Sequence, residues 1–183
     1  MAIIDIQNYH PTPEDIFIFD SNIWVYLFDN TYIPEYHEEK SIDIYTNFFK
    51  EVLNAGSKVL ISSFNVSEIS KKFINNDKKA YISLTSELQY KKGYRSSGAY
   101  KNLLQHIKSV NEKIFNFAYK TNDKFEEFEH SKFFNQDIDF IDEYLAFLTN
   151  KNSCKLVTND KDFKTCPFDI DILTSNKHLL LSQ

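Results

Sequence analysis

An α/β fold with a mostly parallel sheet is what this chain of 183 residues predicts, on three observations. Short apolar runs at Ile16–Phe19, Lys58–Ser62 and Lys155–Thr158 read as buried strands. Between them lie segments whose apolar residues recur at helical spacing, and strands alternating with helices imply parallel pairing. The first run ends directly on Asp20, and Ile23, Trp24, Leu27 and Phe28 then open a helix after a polar Ser-Asn pair. In a parallel sheet the ligand crevice lies beyond the carboxyl ends of the strands, so Asp20 is the first candidate for chemistry.

Residues 1–15 alternate weakly and carry two prolines, which reads as a lead-in with a short edge strand. After the opening strand and helix, the polar stretch Asn30–Glu38 with Pro34 reads as a loop. Ile42, Ile44, Tyr45, Phe48, Phe49, Val52 and Leu53 then mark an amphipathic helix, and Gly56 sits where such a helix stops. The strand Lys58–Ser62 leads into a helix over Phe64–Asn76, with Ser63 or Asn65 available as N-cap and Glu68 in its first two turns.

Residues 78–121 show helical periodicity in two blocks separated by KKGYRSSGAY, a helical insertion in a single domain spanning 1–183. Phe125–Asn135 fits either a helix or a short strand in its first half, with helix the favoured reading, and Asp139–Thr149 is a clearer helix with Asp142 in its first two turns. The strand at Lys155–Thr158 runs into the turn-like Asn159-Asp160-Lys161-Asp162, and Asp169–Leu173 reads as a last strand. The state of the tail HLLLSQ is left open.

Composition removes several classes. With three glycines in the chain, a Gly-rich phosphate loop and a dinucleotide fingerprint are excluded. No apolar run approaches the ~20 residues that span a bilayer, and the first residues carry no basic leader, so a cytoplasmic location is expected. Cys154 and Cys166 read as reduced thiols, and the five histidines are too scattered for a zinc site. Trp24 and the many Phe residues read as core. The net charge of −5 argues against a general polyanion binder, so any nucleic-acid contact is local. One basic island exists: Leu88–Asn111 holds no acid but carries Lys91, Lys92, Arg95, Lys101 and Lys108, with Tyr90, Tyr94 and Tyr100 interleaved. Lys91, Lys92 and Arg95 are candidate phosphate contacts and the tyrosines candidate stacking surfaces, against the plainer readings of a solvated hairpin tip and of rings packed on their own helices.

Four acids stand near strand ends or helix starts: Asp20, Glu68, Asp142 and Asp160. In a doubly wound sheet such positions converge on one crevice. Crowded carboxylates repel unless cations sit among them, and oxygen donors without His or Cys favour Mg²⁺ or Mn²⁺. Each acid also has an ordinary explanation: Asp20 as a helix cap, Glu68 and Asp142 as solvated residues favouring a helix N-terminus, Asp160 as a turn residue. Asp139 and Asp162 are spare acids close by.

The segments FDSNIW around Asp20, SSFNVSE ending at Glu68, DEYLAF opening with Asp142, and LVTNDKDF containing Asp160 together resemble the PIN domain in order and context. The resemblance implies a three-layer α/β/α sandwich and a metal-dependent endoribonuclease, in which Asp20, Glu68, Asp142 and Asp160 hold one or two Mg²⁺ or Mn²⁺ ions. Asn22 and Thr158 would orient those ligands or waters. It further implies an RNA substrate, an antitoxin protein as partner if the chain is a toxin, and a homodimer. The spacing between the motifs is wider than in small PIN toxins. A catalytically inactive PIN-like scaffold binding RNA or protein is the alternative, and a phosphatase with Asp20 as nucleophile is disfavoured by Asn22, where haloacid-dehalogenase-like enzymes expect a second Asp.

Overall fold

The computed structural model describes residues 1–29, 39–122, 125–127, 129, 131, 133–134 and 137–181. The expected loop Asn30–Glu38 lies outside these, as do residues 128, 130, 132 and 135 of the expected helix Phe125–Asn135, in which Phe125–Glu127 forms a 3₁₀ turn.

Six parallel strands make one sheet: β1 (Ala2–Asp5), β2 (Ile16–Phe19), β3 (Lys58–Ile61), β4 (Tyr119–Lys120), β5 (Lys155–Val157) and β6 (Asp171–Thr174). Seven α-helices surround it among the described residues: α1 (Ser21–Phe28), α2 (Glu39–Ala55), α3 (Ser63–Leu84), α4 (Glu87–Gly93), α5 (Gly98–Phe115), α6 (Phe140–Lys151) and α7 (Lys177–Leu180). The strand order is β1-β6-β5-β2-β3-β4. From β2 the chain builds outward through β3 and β4, then crosses back to β5 and builds the other way through β6, with β1 at that edge. The direction reverses between β2 and β5, so the topological switch point, where open α/β sheets bind ligands, falls at the carboxyl ends of these two strands.

The three layers follow from period-2 alternation in strands buried on both faces. Phe17, Phe19, Val59, Ile61, Val157 and Leu173 point to one face, where α1, α2, α3 and α5 contribute Trp24, Phe48, Ile69 and Ile107. Ile18, Leu60, Leu156 and Ile172 point to the other, where α6 contributes its buried run Tyr144–Leu148. Rings lock the first core: Phe17 and Phe48 meet edge to face with centroids 5.6 Å apart, as do Phe19 and Phe49 at the same distance, a geometry worth about 0.5–1.5 kcal/mol per pair beyond area burial. Gly56, at φ 74°, follows the last residue of α2 and turns the chain into β3.

The structure departs from the sequence reading at several places. The lead-in supplies β1, an edge strand as expected, but the block expected to be helical over 78–121 ends in β4, which pairs with β3 through Leu60 and Ile61. The helix after β3 extends to Leu84, and its N-cap is Ser62, one residue before the earlier of the two candidates. β3 stops at Ile61, which leaves Ser62 extended and free to cap. Of the tail, residues 178–180 belong to α7, and residues 182–183 lie outside the described residues.

Candidate acidic site

Asp20 sits at the switch point. Its backbone N–H donates to the Val157 carbonyl at 2.9 Å, which ties the end of β2 to β5. The residue occupies the N-cap position of α1, yet its side chain caps nothing. Instead Oδ2 accepts a hydrogen bond from Thr158 Oγ1 at 2.8 Å and a longer one from Asn22 Nδ2 at 3.4 Å. Oδ1 receives no hydrogen bond among the described residues. With 1% exposure, the carboxyl is pushed up to about 6, first by burial. Repulsion from Glu68 and Asp160 pushes the same way, while the Lys72 ammonium and the Thr158 hydroxyl oppose it. The cap explanation for Asp20 therefore fails on geometry.

The other acids share this field. Asp142, one residue into the second half of the first turn of α6, is pushed up to about 8 by burial and then by the charges of Asp20, Asp139, Asp160 and Glu68. Its carboxylate has neither a hydrogen-bond donor nor a cation beside it among the described residues. Asp160 follows β5; its backbone N–H donates to Thr158 Oγ1 at 3.0 Å, and its Oδ1 caps the 3₁₀ turn Lys161–Thr165 by accepting from Asp162 N–H. Thr158 thus links Asp20 and Asp160 through one hydroxyl, and the Tyr45 hydroxyl holds its carbonyl at 2.8 Å.

Glu68 reaches the cluster from α3, but Lys72, one turn further on, holds its Oε1 at 3.2 Å and also contacts Asn22 Oδ1. Lys72 is absent from the sequence reading. The spare acid Asp139 is committed as the N-cap of α6, accepting from Ile141 and Asp142 N–H. Asp162 serves the turn after β5.

Beside the cluster opens a cleft of about 560 Å³ that shares Asn22, Lys72 and Asp160 with it. Lys91, Lys92 and Arg95 are not among its lining residues. Lys91 pairs with Glu87 at 2.8 Å, and the tyrosines of the basic island stack on one another, Tyr94 lying 4.7 Å from Tyr90 and 5.0 Å from Tyr100 between ring centroids. Tyr94 is 1% exposed and its hydroxyl donates to Asp77, so this ring is core and offers no face to a base. Both cysteines are free thiols.

The donors suit a hard divalent cation in chemistry: oxygens only, repelling one another, with Asp142 wholly unpartnered and Asp20 half so. Among the described residues, however, no three Asp, Glu, His or Cys side chains stand together as a ready ligand set. The acids are neighbours rather than a closed cage, and Glu68 faces an ammonium.

No family model matches the chain, and no curated protein does. Among solved structures the chain is similar to VapBC2 from Rickettsia felis, solved bound to a DNA fragment from their promoter, at a TM-score of 0.51 and 16% identity. The likeness covers 87% of this chain and 98% of that one. At that identity it is a likeness of fold: the parallel α/β/α sandwich described here is the architecture this chain has in common with a chain of VapBC2.

Proposed function

We propose that this chain is a PIN-type endoribonuclease that hydrolyses RNA phosphodiester bonds with Mg²⁺ or Mn²⁺, and that it acts as the toxin of a toxin–antitoxin pair. The observation that carries the proposal is the meeting of Asp20, Asp142, Asp160 and Glu68 in one electrostatic neighbourhood at the sheet's switch point. Asp20 and Asp142 are the main metal ligands, with Asp160 and Glu68 completing the set. A divalent cation supplies acidity to a water and positive charge to a phosphate, neither of which these side chains provide.

The chain's own groups do the positioning. Thr158 fixes Oδ2 of Asp20 and leaves Oδ1 open, Asn22 supports the same carboxylate, and Lys72 adds a fixed positive charge on the wall shared with the cleft. In-line hydrolysis there yields a 5′-phosphate and a 3′-hydroxyl, without help from the 2′-hydroxyl. An antitoxin segment inhibits by occupying the cleft.

Asp20→Asn keeps the shape of the side chain and removes the charge a cation needs. Cleavage of single-stranded RNA in Mn²⁺ is expected to fall to background in this variant and in excess EDTA. Activity that survives either treatment sinks the proposal. The Lys72–Glu68 pair favours one other reading, an inactive scaffold whose acids are balanced internally. Calorimetric Mn²⁺ titration separates them: the nuclease binds Mn²⁺ at a site that Asp142→Ala removes, and the scaffold does not.

A further inference from the structure

Glu68, Lys72, Asn75, Asn76 and Lys79 lie at i, i+4, i+7, i+8 and i+11 on α3, which places them along one side of the helix. The adjoining face buries Ile69 and Phe73. This polar stripe starts at the acidic site and runs along roughly 16 Å of helix, and from Lys72 to Lys79 it forms a wall of the cleft. The loop after β5 supplies Asn159 and Lys161 to the same cleft, and Tyr26 adds an aromatic surface.

Much of this polar capacity is unused. Asn75 and Asn76 make no side-chain hydrogen bond among the described residues, and neither Lys79 nor Lys161 has an acidic partner there. Asn159 accepts from the Tyr45 hydroxyl at 3.3 Å through Oδ1, and its amide Nδ2 has no acceptor among the described residues. In a chain of net charge −5, the described residues lining the cleft include three lysines, and Asp160 is the only carboxylate among them. Its volume of about 560 Å³ lies in the range of sites that take a ligand the size of one nucleotide.

We infer that this cleft binds an unpaired nucleotide flanking the scissile phosphate, with Lys79 and Lys161 on backbone phosphates and the amides of Asn75, Asn76 and Asn159 on the base edge. The inference rests on the endoribonuclease reading above and specifies the form in which that site takes its substrate. Free amides pair in a bidentate way with base edges, and ammonium groups neutralise phosphates without regard to sequence. An A-form duplex pairs its Watson–Crick edges and hides its major-groove edges in a deep, narrow groove, so a base whose Watson–Crick or Hoogsteen edge meets these amides is unstacked and single-stranded.

Binding of short fluorescent single-stranded RNAs, followed by anisotropy in EDTA so that no strand is cut, tests the cleft apart from catalysis. Lys79→Ala/Lys161→Ala is expected to weaken binding and to lower the slope of log affinity against log salt by about 1.4, or about 0.7 per lost phosphate contact on a single strand. Asn75→Ala/Asn76→Ala is expected to keep the wild-type salt slope and to compress the ranking among homopolymers by about tenfold. These side chains are exposed, so unchanged circular dichroism and Mn²⁺ binding are expected in both variants.

An unchanged salt slope in the lysine variant overturns the inference, as does an unchanged homopolymer ranking in the asparagine variant. Equal affinity for duplex RNA, or loss of slope only in Lys91→Ala/Lys92→Ala/Arg95→Ala, also overturns it. A wild-type protein that cuts no RNA in Mn²⁺ but shows these slope changes sinks the nuclease reading alone; one that cuts RNA with an indifferent cleft sinks the inference alone.

Discussion

Lys72 is the side chain on which the acidic site turns. Its ammonium is held by Glu68 and Asn22 and lowers the field at Asp20. Lys72→Met removes a cation from beside the acids that the proposed function assigns to a metal ion. Mn²⁺ affinity is therefore expected to tighten several-fold, by about 1 kcal/mol, the bulk-water energy of unit charges about 4 Å apart. RNA cleavage is expected to show a raised KM, because the same ammonium stands on the cleft wall. Calorimetry and steady-state kinetics read the two effects separately, and unchanged Mn²⁺ affinity would place the ammonium outside the field of the acids. Asp20 was legible in the sequence because an apolar run ending on an acid before a helix has few meanings. Lys72 was not, since a lysine four residues after a glutamate is what any solvated helix shows. Tyr94 was left between two readings, because aromatic spacing among lysines says nothing about which way a ring faces; this one faces inward, as the plainer reading had it.

At the scale of elements, α3 fixes the geometry of the site through its first turn. Ser62 and Asn65 form a reciprocal capping box, Ser62 Oγ accepting from Asn65 N–H at 3.2 Å and Asn65 Oδ1 accepting from Ser62 N–H at 3.2 Å. Asn65 does more, because its Nδ2 donates to the Phe19 carbonyl at 3.2 Å and so ties α3 to the end of β2, next to Asp20. Ser62→Ala is expected to cost about 1 kcal/mol, a typical cap loss. Asn65→Ala is expected to cost about 2–3 kcal/mol, because it also leaves a buried carbonyl unsatisfied. Urea unfolding measures both; equal costs would mean that the tie to β2 carries no energy. The sequence offered the helix and a choice of two caps, but the capping residue depends on where β3 stops pairing, which is a tertiary fact. β4 was hidden for the same reason: two exposed residues at the end of a helical block become a strand only because β3 has a free edge there.

For the whole molecule, alternation of apolar runs and helical segments was enough to read a mostly parallel α/β sheet, and the three layers came with the PIN resemblance; the strand order was not legible, because neighbours in a sheet are chosen by contacts far apart in sequence. The order matters energetically, since it brings the acids of four separate segments to one place. Asp20 and Asp142 titrate near 6 and 8 when folded, against 3.8 for a free aspartate. Between about pH 4 and pH 8 the native state thus binds more protons than the unfolded state, and the stability of the metal-free protein falls as pH rises through that window. For Asp20 alone the loss by pH 8 is on the order of 3 kcal/mol. Thermal melts in EDTA are expected to give a lower Tm at about pH 8 than at about pH 5. Asp142→Asn is expected to flatten that slope and raise Tm at the alkaline end, because it removes a charge that no cation balances among the described residues. On the proposed nuclease reading a divalent cation takes the ionised carboxylates, so the stabilising effect of added Mn²⁺ on the wild type is expected to grow with pH and to disappear in the variant. Metal-free protein more stable at the higher pH would mean that these acids do not repel one another, and both the cation site and the nuclease built on it would fall together.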